Sequence, residues 1–154
     1  MVRLTDMLED DRNHLLAKPC PKFEGEPWIE GPPLAERRIA IVTTAGLQLR
    51  DDAPFNFRSA EYRIIPGAVE GKDLVMSHTS VNFDRSGFQR DANVVFPIDR
   101  LREMETEGAV GSVANYHYAF NGAYMEPAAY EEKAREVAGL LKGDSVDAVL
   151  LVPV

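Results

Sequence analysis

The sequence predicts an α/β fold: a mostly parallel sheet with flanking helices, preceded by an N-terminal helix and a Pro-rich arm. Three observations predict it. Continuous apolar runs rich in β-branched residues, such as Ile39 to Val42, have the pattern of strands buried on both faces. A long amphipathic helix precedes the last such run. Strands separated by helices imply parallel pairing, because the crossover returns the chain to the same end of the sheet.

In chain order, residues 4–17 read as a short amphipathic helix. Leu4, Leu8, Leu15 and Leu16 form its apolar stripe, Thr5 or Asp6 can cap its start, and Lys18-Pro19 ends it. "PCPKFEGEPWIEGPP" follows, with five prolines and two glycines, and reads as an extended arm pinned to the body by Phe23 and Trp28. This divides the chain into residues 1–35, helix and arm, and residues 36–154, the α/β domain. Arg37-Arg38 leads into the first strand. "EYRIIPG" is a shorter strand, nearer an edge because Pro66-Gly67 closes it, and "KDLVMSH" is a third. "PIDRLREMETEG" is a short helix with Asp99 as cap and Gly108 as stop, while "VGSVANYHYAF" fits strand or loop. In "EPAAYEEKAREVAGLLKGDS", Pro127 suits the first helical turn. Tyr130, Ala134, Val137, Ala138 and Leu141 share one face there, and Glu131 can pair with Arg135. Lys142 suits the C-terminal dipole and Gly143 the position just past the helix end. The chain then turns into a final strand, "DAVLLVPV", which reads as buried.

At 154 residues, one domain is expected, large enough to bury roughly 70% of its unfolded surface. Seventeen basic against 25 acidic residues give a net charge of −8, which argues against sequence-independent nucleic-acid binding. The N-terminus carries acidic residues and no apolar run, so it does not read as a signal peptide. No uncharged apolar stretch approaches the ~20 residues that span a bilayer. Neither nucleic acid nor membrane is therefore an expected partner. The one cysteine, Cys20, allows no intramolecular disulfide and fits a cytoplasmic location.

Open α/β sheets bind ligands at the carboxyl ends of their strands. If the first, third and last strands are parallel, that edge gathers Thr43 and Thr44 of "TTAG", Ser77 and His78, and the Val152-Pro153-Val154 end. The segment 77–99, "SHTSVNFDRSGFQRDANVVFPID", is a long polar and aromatic connection. Long loops in compact domains are often functional. Ion pairs Asp84–Arg85 or Arg90–Asp91 would order it, and these charges either brace the loop or contact a ligand. His78 and His117 are the imidazoles nearest this edge. A metal site from His78, Asp84, Asp91 and His117 lacks ligand spacing, so no metal is expected. "TTAG" is too poor in glycine for a dinucleotide or phosphate loop, no serine sits in a GxSxG elbow, and no cofactor is expected.

Several blocks are familiar together: His78, Asn82-Phe83-Asp84-Arg85, Gly87-Phe88, Asp91, Asn93 to Pro97, Asp99-Arg100-Leu101, Glu107-Gly108, Gly111-Ser112 and His117-Tyr118. Over roughly 36–154, and most specifically over 77–123, the chain resembles the glycine/sarcosine/betaine/D-proline reductase selenoprotein B family. The N-terminal arm resembles that of a short bacterial branch. The resemblance implies an oxidoreductase that cleaves a small amine or related substrate reductively. A selenocysteine is then expected immediately after Val154, where the given chain is truncated at a UGA codon, with a cysteine a few residues later. The selenolate attacks the carbon bearing the leaving group, and a thiol with a thioredoxin-like electron donor restores the site. Large members hold the substrate amine on a pyruvoyl group of a partner subunit; nothing in this sequence reads as its precursor. On this reading His78 is catalytic, as proton donor or orienting group. Thr44, Asp84, Arg85, Asp91, Asn93 and His117 are the substrate-binding candidates. The expected partners are a small-molecule substrate and further subunits, as homo-oligomer or hetero-oligomer. The alternative is a non-catalytic α/β binding or partner subunit that uses the 77–99 loop as interface. A metal-dependent hydrolase built on the two histidines and the aspartates stands third.

Overall fold

A computed structural model describes residues 3–17, 25, 28–81, 83–123 and 125–154. The expected α/β architecture is present. Strand β1 (Arg38–Thr43) lies inside the main sheet. β7 (Ala148–Val152) pairs along one edge of it in parallel, from Ile39↔Ala148 to Thr43↔Val152. Its other edge takes β5 (Ser112–Val113) and then β6 (Tyr116–Phe120), both parallel. β3 (Tyr62–Pro66) closes that side antiparallel to β6, the outer position its proline allows.

Two expectations about strands need correction. "KDLVMSH" contributes only β4 (Leu74–Met76), which is not a parallel strand of the main sheet; it pairs antiparallel with β2 (Leu47–Leu49) in a separate ribbon. Gly46 causes this. Its φ of +65° turns the chain out of the line of β1, and a Cβ there would sit 2.8 Å from the His78 backbone. The last strand is not buried on both faces. Ala148 and Val152 pack against the core, but Val149 and Leu151 are 40% and 66% exposed.

Helix α3 (Ile98–Thr106) buries Ile98 and Leu101 in a cluster with Ile39, Ile41, Ile65 and Phe96 on one face of the sheet. Pro97 is its N-cap, and the Asn93 side chain accepts from the Asp99 amide in its first turn; the Asp99 carboxylate holds Asn93 and Arg102. Helix α4 (Glu131–Gly143) covers the other face, with Val137, Tyr130 and Leu141 against Val42, Tyr118 and Phe120. The Glu131–Arg135 pair forms at 2.7 Å. Gly143 stays inside the helix, and Ser145 takes the left-handed turn at φ 56°. Asp144 at the helix end accepts from the Asn115 and Tyr116 amides, at 2.7 and 3.3 Å, and pairs with Arg38 at 2.8 Å. It thereby ties α4, the start of β1 and the break between β5 and β6 together.

The 77–99 connection is ordered into helix α2 (Ser86–Arg90) and a short turn at Ala92–Val94. At the N-terminus, extended backbone at Met7 and Leu8 splits the expected single helix into a turn at Leu4–Asp6 and helix α1 (Glu9–Leu16). Neither buries a residue, and Leu8 and Leu16 are 77% and 63% exposed. Trp28 is exposed and does not pin the arm; Cys20 and Phe23 lie outside the described residues. Among the described residues, no helix is long and apolar enough to cross a membrane.

Candidate functional site

The carboxyl edge of β1, β6 and β7 is where the chain brings polar groups together. Beyond β1, the Thr44 amide donates to the Val152 carbonyl at 3.1 Å. The Thr44 hydroxyl accepts from the Val154 amide at 2.8 Å and lies 3.3 Å from the Val154 carbonyl oxygen, which it can donate to. The main chain of Val154 is thus fixed against Thr44. Opposite, segment 44–46 runs beside 120–122: Gly122 N–H donates to the Thr44 carbonyl and Gly46 N–H to the Phe120 carbonyl, at 2.9 and 2.8 Å. A Cβ at Gly122 would meet Thr44 Cβ at 2.8 Å and the Val154 carbonyl oxygen at 3.1 Å, so only glycine lets these backbones approach.

His78 joins this edge through the chain around it. The Ser77 amide donates to the Gly46 carbonyl at 2.9 Å. Asn121, fully buried, donates from Nδ2 to the Thr79 hydroxyl at 2.9 Å, and its Oδ1 accepts from the Thr79 amide at 3.4 Å. Arg85 donates to the His78 and Ser80 carbonyls at 2.6 and 3.0 Å. The ring itself packs at a tilt against Phe83, 4.9 Å between centroids, and its Nδ1 accepts from the Ser80 amide at 3.2 Å. That bond leaves the proton of the neutral ring on Nε2. Nε2 is buried and makes no hydrogen bond among the described residues. Burial first, and the Arg85 charge second, lower the pKa of His78 below the usual histidine value.

The remaining sequence-predicted residues are placed differently. His117 sits in β6, inside the core, with its Nδ1 accepting from the Ile41 amide at 2.9 Å in place of a strand carbonyl. Its Nε2 is also buried and unpaired, its ring meets Phe96 edge-on, and burial pushes its pKa down to about 4. Asp84 accepts from the Ser86 amide and hydroxyl, not from Arg85. Asp91 accepts from Asn93, which bridges to Asp99 at the start of α3. The expected ion pairs Asp84–Arg85 and Arg90–Asp91 are thus replaced by short-range caps and carbonyl contacts. Thr44 and His78 both lie along this edge, on either side of Gly46; His117, Asp91 and Asn93 hold other parts of the fold. Among the described residues, no group of three His, Cys, Asp or Glu is placed to hold a metal ion.

Sequence reasoning passed over Asn121 and Gly122, which follow "VGSVANYHYAF" as an Asn-Gly turn signal. The available signal was their place: a polar residue directly after the strand "YHYAF", at the end where α/β sheets bind ligands. Tyr130 adds a third hold on this turn, donating from its hydroxyl to the Asn121 carbonyl at 2.5 Å.

Comparison with known proteins adds to this geometry. The family profile of glycine/sarcosine/betaine reductase selenoprotein B matches residues 21–154. The D-proline reductase subunit gamma of Acetoanaerobium sticklandii is 34% identical over 120 residues, covering 77% of this chain and 49% of that protein. Glycine reductase complex component B subunit gamma of Symbiobacterium thermophilum is 31% identical over 140 residues, 86% of this chain and 32% of that protein. Betaine reductase complex component B subunit beta of Peptoclostridium acidaminophilum is 31% identical over 123 residues, 77% and 28% respectively. The chain therefore spans about half the length of the first of these relatives and a third or less of the other two. No solved structure matches.

Proposed function

Because the chain belongs to the glycine/sarcosine/betaine reductase selenoprotein B family, we propose that it is a reductase subunit whose carboxyl sheet edge carries reductive cleavage of a small amine. The observation that carries this reading is the meeting of Thr44, Gly122 and Val154 at one edge, with His78 held across Gly46. A selenocysteine, encoded by UGA and following Val154, supplies the nucleophile. The sequence as given contains no selenocysteine, and its one cysteine, Cys20, lies outside the described residues. The net step breaks one C–N bond with two electrons and two protons. The carbon gains a hydrogen, the amine leaves, and a dithiol of a thioredoxin-like donor becomes a disulfide.

The residues of this chain have two roles in that reading. Thr44 fixes the main chain of Val154, so the next residue starts from a defined point. His78, neutral with its proton on Nε2, is a hydrogen-bond donor for the departing or incoming group. Arg85 and Asn121 act through His78 by holding residues 78–80. The division at residue 36 and the assembly with other subunits of a complex belong to the same reading. So does a place in the cytoplasm, where a dithiol donor stays reduced.

A non-catalytic partner subunit is the second reading. The exposure of Val81 and Val94 in the 77–99 loop, at 83% and 61%, favours it. Sequencing the gene past the Val154 codon separates the two. A UGA followed by an open frame with a nearby cysteine supports the reductase; UAA, UAG or an immediately closed frame overturns it.

A further inference from the structure

We infer that an apolar cleft on the α4 face of the carboxyl edge is a binding subsite for an uncharged hydrocarbon part of the substrate. This rests on the reductase reading for the substrate and on geometry for the place. The cleft has a volume of about 350 Å³, within the range of small-ligand sites. Phe120, Met125, Pro127, Tyr130 and Ala134 wall it, and Thr44 and Gly122 meet it at the sheet edge. Its polar atoms already have partners. The Thr44 hydroxyl is bonded to Val154, and the Tyr130 hydroxyl to the Asn121 carbonyl. No described residue lining it carries a charge, so a charged group would enter without a counter-charge, at a desolvation cost.

The pleat of the sheet relates this cleft to the chemistry. Side chains alternate between faces along a strand. In β7 and beyond it, Ala148, Val152 and Val154 pack on the α3 face, which leaves Val149 and Leu151 on the α4 face. In β1, Ile39 and Ile41 pack on the α3 face and Val42 on the α4 face, and Thr44 accordingly meets the cleft. A residue continuing β7 after Val154 would project to that same α4 face, beside Thr44 and Gly122. Phe83, which packs against the His78 ring, belongs to the α3-side cluster. The hydrocarbon of the substrate and the imidazole would then approach the edge from opposite faces, across the side-chain-free Gly46 and Gly122.

The test is an amide NMR titration of the 154-residue chain with cyclopentanol, a neutral five-carbon ring, and with proline, a ring of the same size carrying both charges. Saturable shifts are expected at the Gly122, Met125, Tyr130 and Ala134 amides with cyclopentanol, and binding about tenfold weaker with proline. Ala134→Trp, which fills the cleft from α4, should abolish the shifts while amide dispersion persists. Should that variant not fold, Ala134→Leu should still weaken binding at least about threefold, because it narrows the same space. Shifts absent from these amides, equal for proline, or unchanged in the variants would overturn the inference. The measurement needs no nucleophile, so its outcome is independent of the codon after Val154.

Discussion

The two ends of the main sheet treat polar groups differently. At the amino end, Asp144 accepts from Asn115, Tyr116 and Arg38, and Arg38 also donates to the Asp144 and Val113 carbonyls. Burial alone would raise the Asp144 carboxyl, but bonds from Arg38, Asn115 and Tyr116 outweigh it and hold its pKa below the usual carboxylate value. At the carboxyl end, Asn121, Arg85 and the Ser80 amide hold the chain around His78, yet His78 Nε2 is buried without a partner among the described residues. Leaving a buried donor unpaired costs about 1–3 kcal/mol. One end is fully paired, and the other buries a donor with no partner among the described residues, at the carboxyl edge of the sheet. His117 refines the lesson. It too has an unpaired Nε2, but deep between strands, so the free nitrogen acquires meaning only through its position.

The strongest way to break this contrast is Asp144→Ala. It leaves the Arg38 guanidinium with carbonyl partners but no counter-charge and strands two backbone amides at once, and breaking such a pair is expected to cost about 4 kcal/mol. For a chain of this size that lowers the melting temperature by roughly 10 °C or more. Hydrogen exchange at residues 78–80 should stay unchanged while exchange at 113–116 accelerates. A melting temperature within about 2 °C of the parent would show that the amino end is not the stabilising one.

The pH dependence comes next. Unfolded, His117 binds its proton near the ordinary histidine value of 6.5; folded, near 4. Between these values the unfolded state holds more protons, so stability rises with pH across that window. On acidification it falls from about pH 6.5, with the loss complete below about 4, and the full effect is on the order of 3 kcal/mol. Carboxylates contribute mainly at the acid end, so the interval from about 6.5 to 5 reports the histidines. Urea midpoints measured across it should fall with acid. A flat profile would mean that His117 is not held neutral by burial.

How much of this was legible in the sequence follows from the kind of information each feature uses. Ile39 to Val42 and the 130–141 stripe declare themselves, because periodicity and burial are local properties. The antiparallel β2–β4 ribbon does not, because it depends on one glycine, Gly46, adopting φ +65° and admitting the His78 backbone at close range. At the site, His78 and Thr44 are legible because each directly follows a strand-like run. Asp84 and Asp91 were read as ligand contacts or ion-pair partners. They accept from Ser86 and Asn93 two residues on, the short-range option open to an aspartate in a loop. Asn121 was missed because Asn-Gly is the commonest of turn signals, and only the fold brings it against Thr79.

Asn121→Ala tests the carboxyl end more gently. It removes both side-chain contacts to Thr79 and is expected to cost about 2 kcal/mol. The Thr79 and Ser80 amides should exchange faster, while the Asn115 and Tyr116 amides do not. Uniform acceleration along the chain would mean that the two ends are one cooperative unit, and the contrast between them would dissolve.

The smallest expected change in stability is at the residue given the most chemistry. His78→Phe keeps a ring of similar shape against Phe83. It removes the unpaired Nε2 from burial and loses the acceptor of the Ser80 amide. Gain and loss oppose each other, so the net change should stay within about 1 kcal/mol. The variant should also lose the His78 share of the acid destabilisation, since its folded pKa is lowered in the same direction as that of His117. Urea midpoints at pH 7 and pH 5 measure both effects. Loss of several kcal/mol at pH 7 would make His78 a structural group like His117. A near-neutral change, beside the large loss at Asp144→Ala, is what a residue kept for chemistry rather than for folding should give.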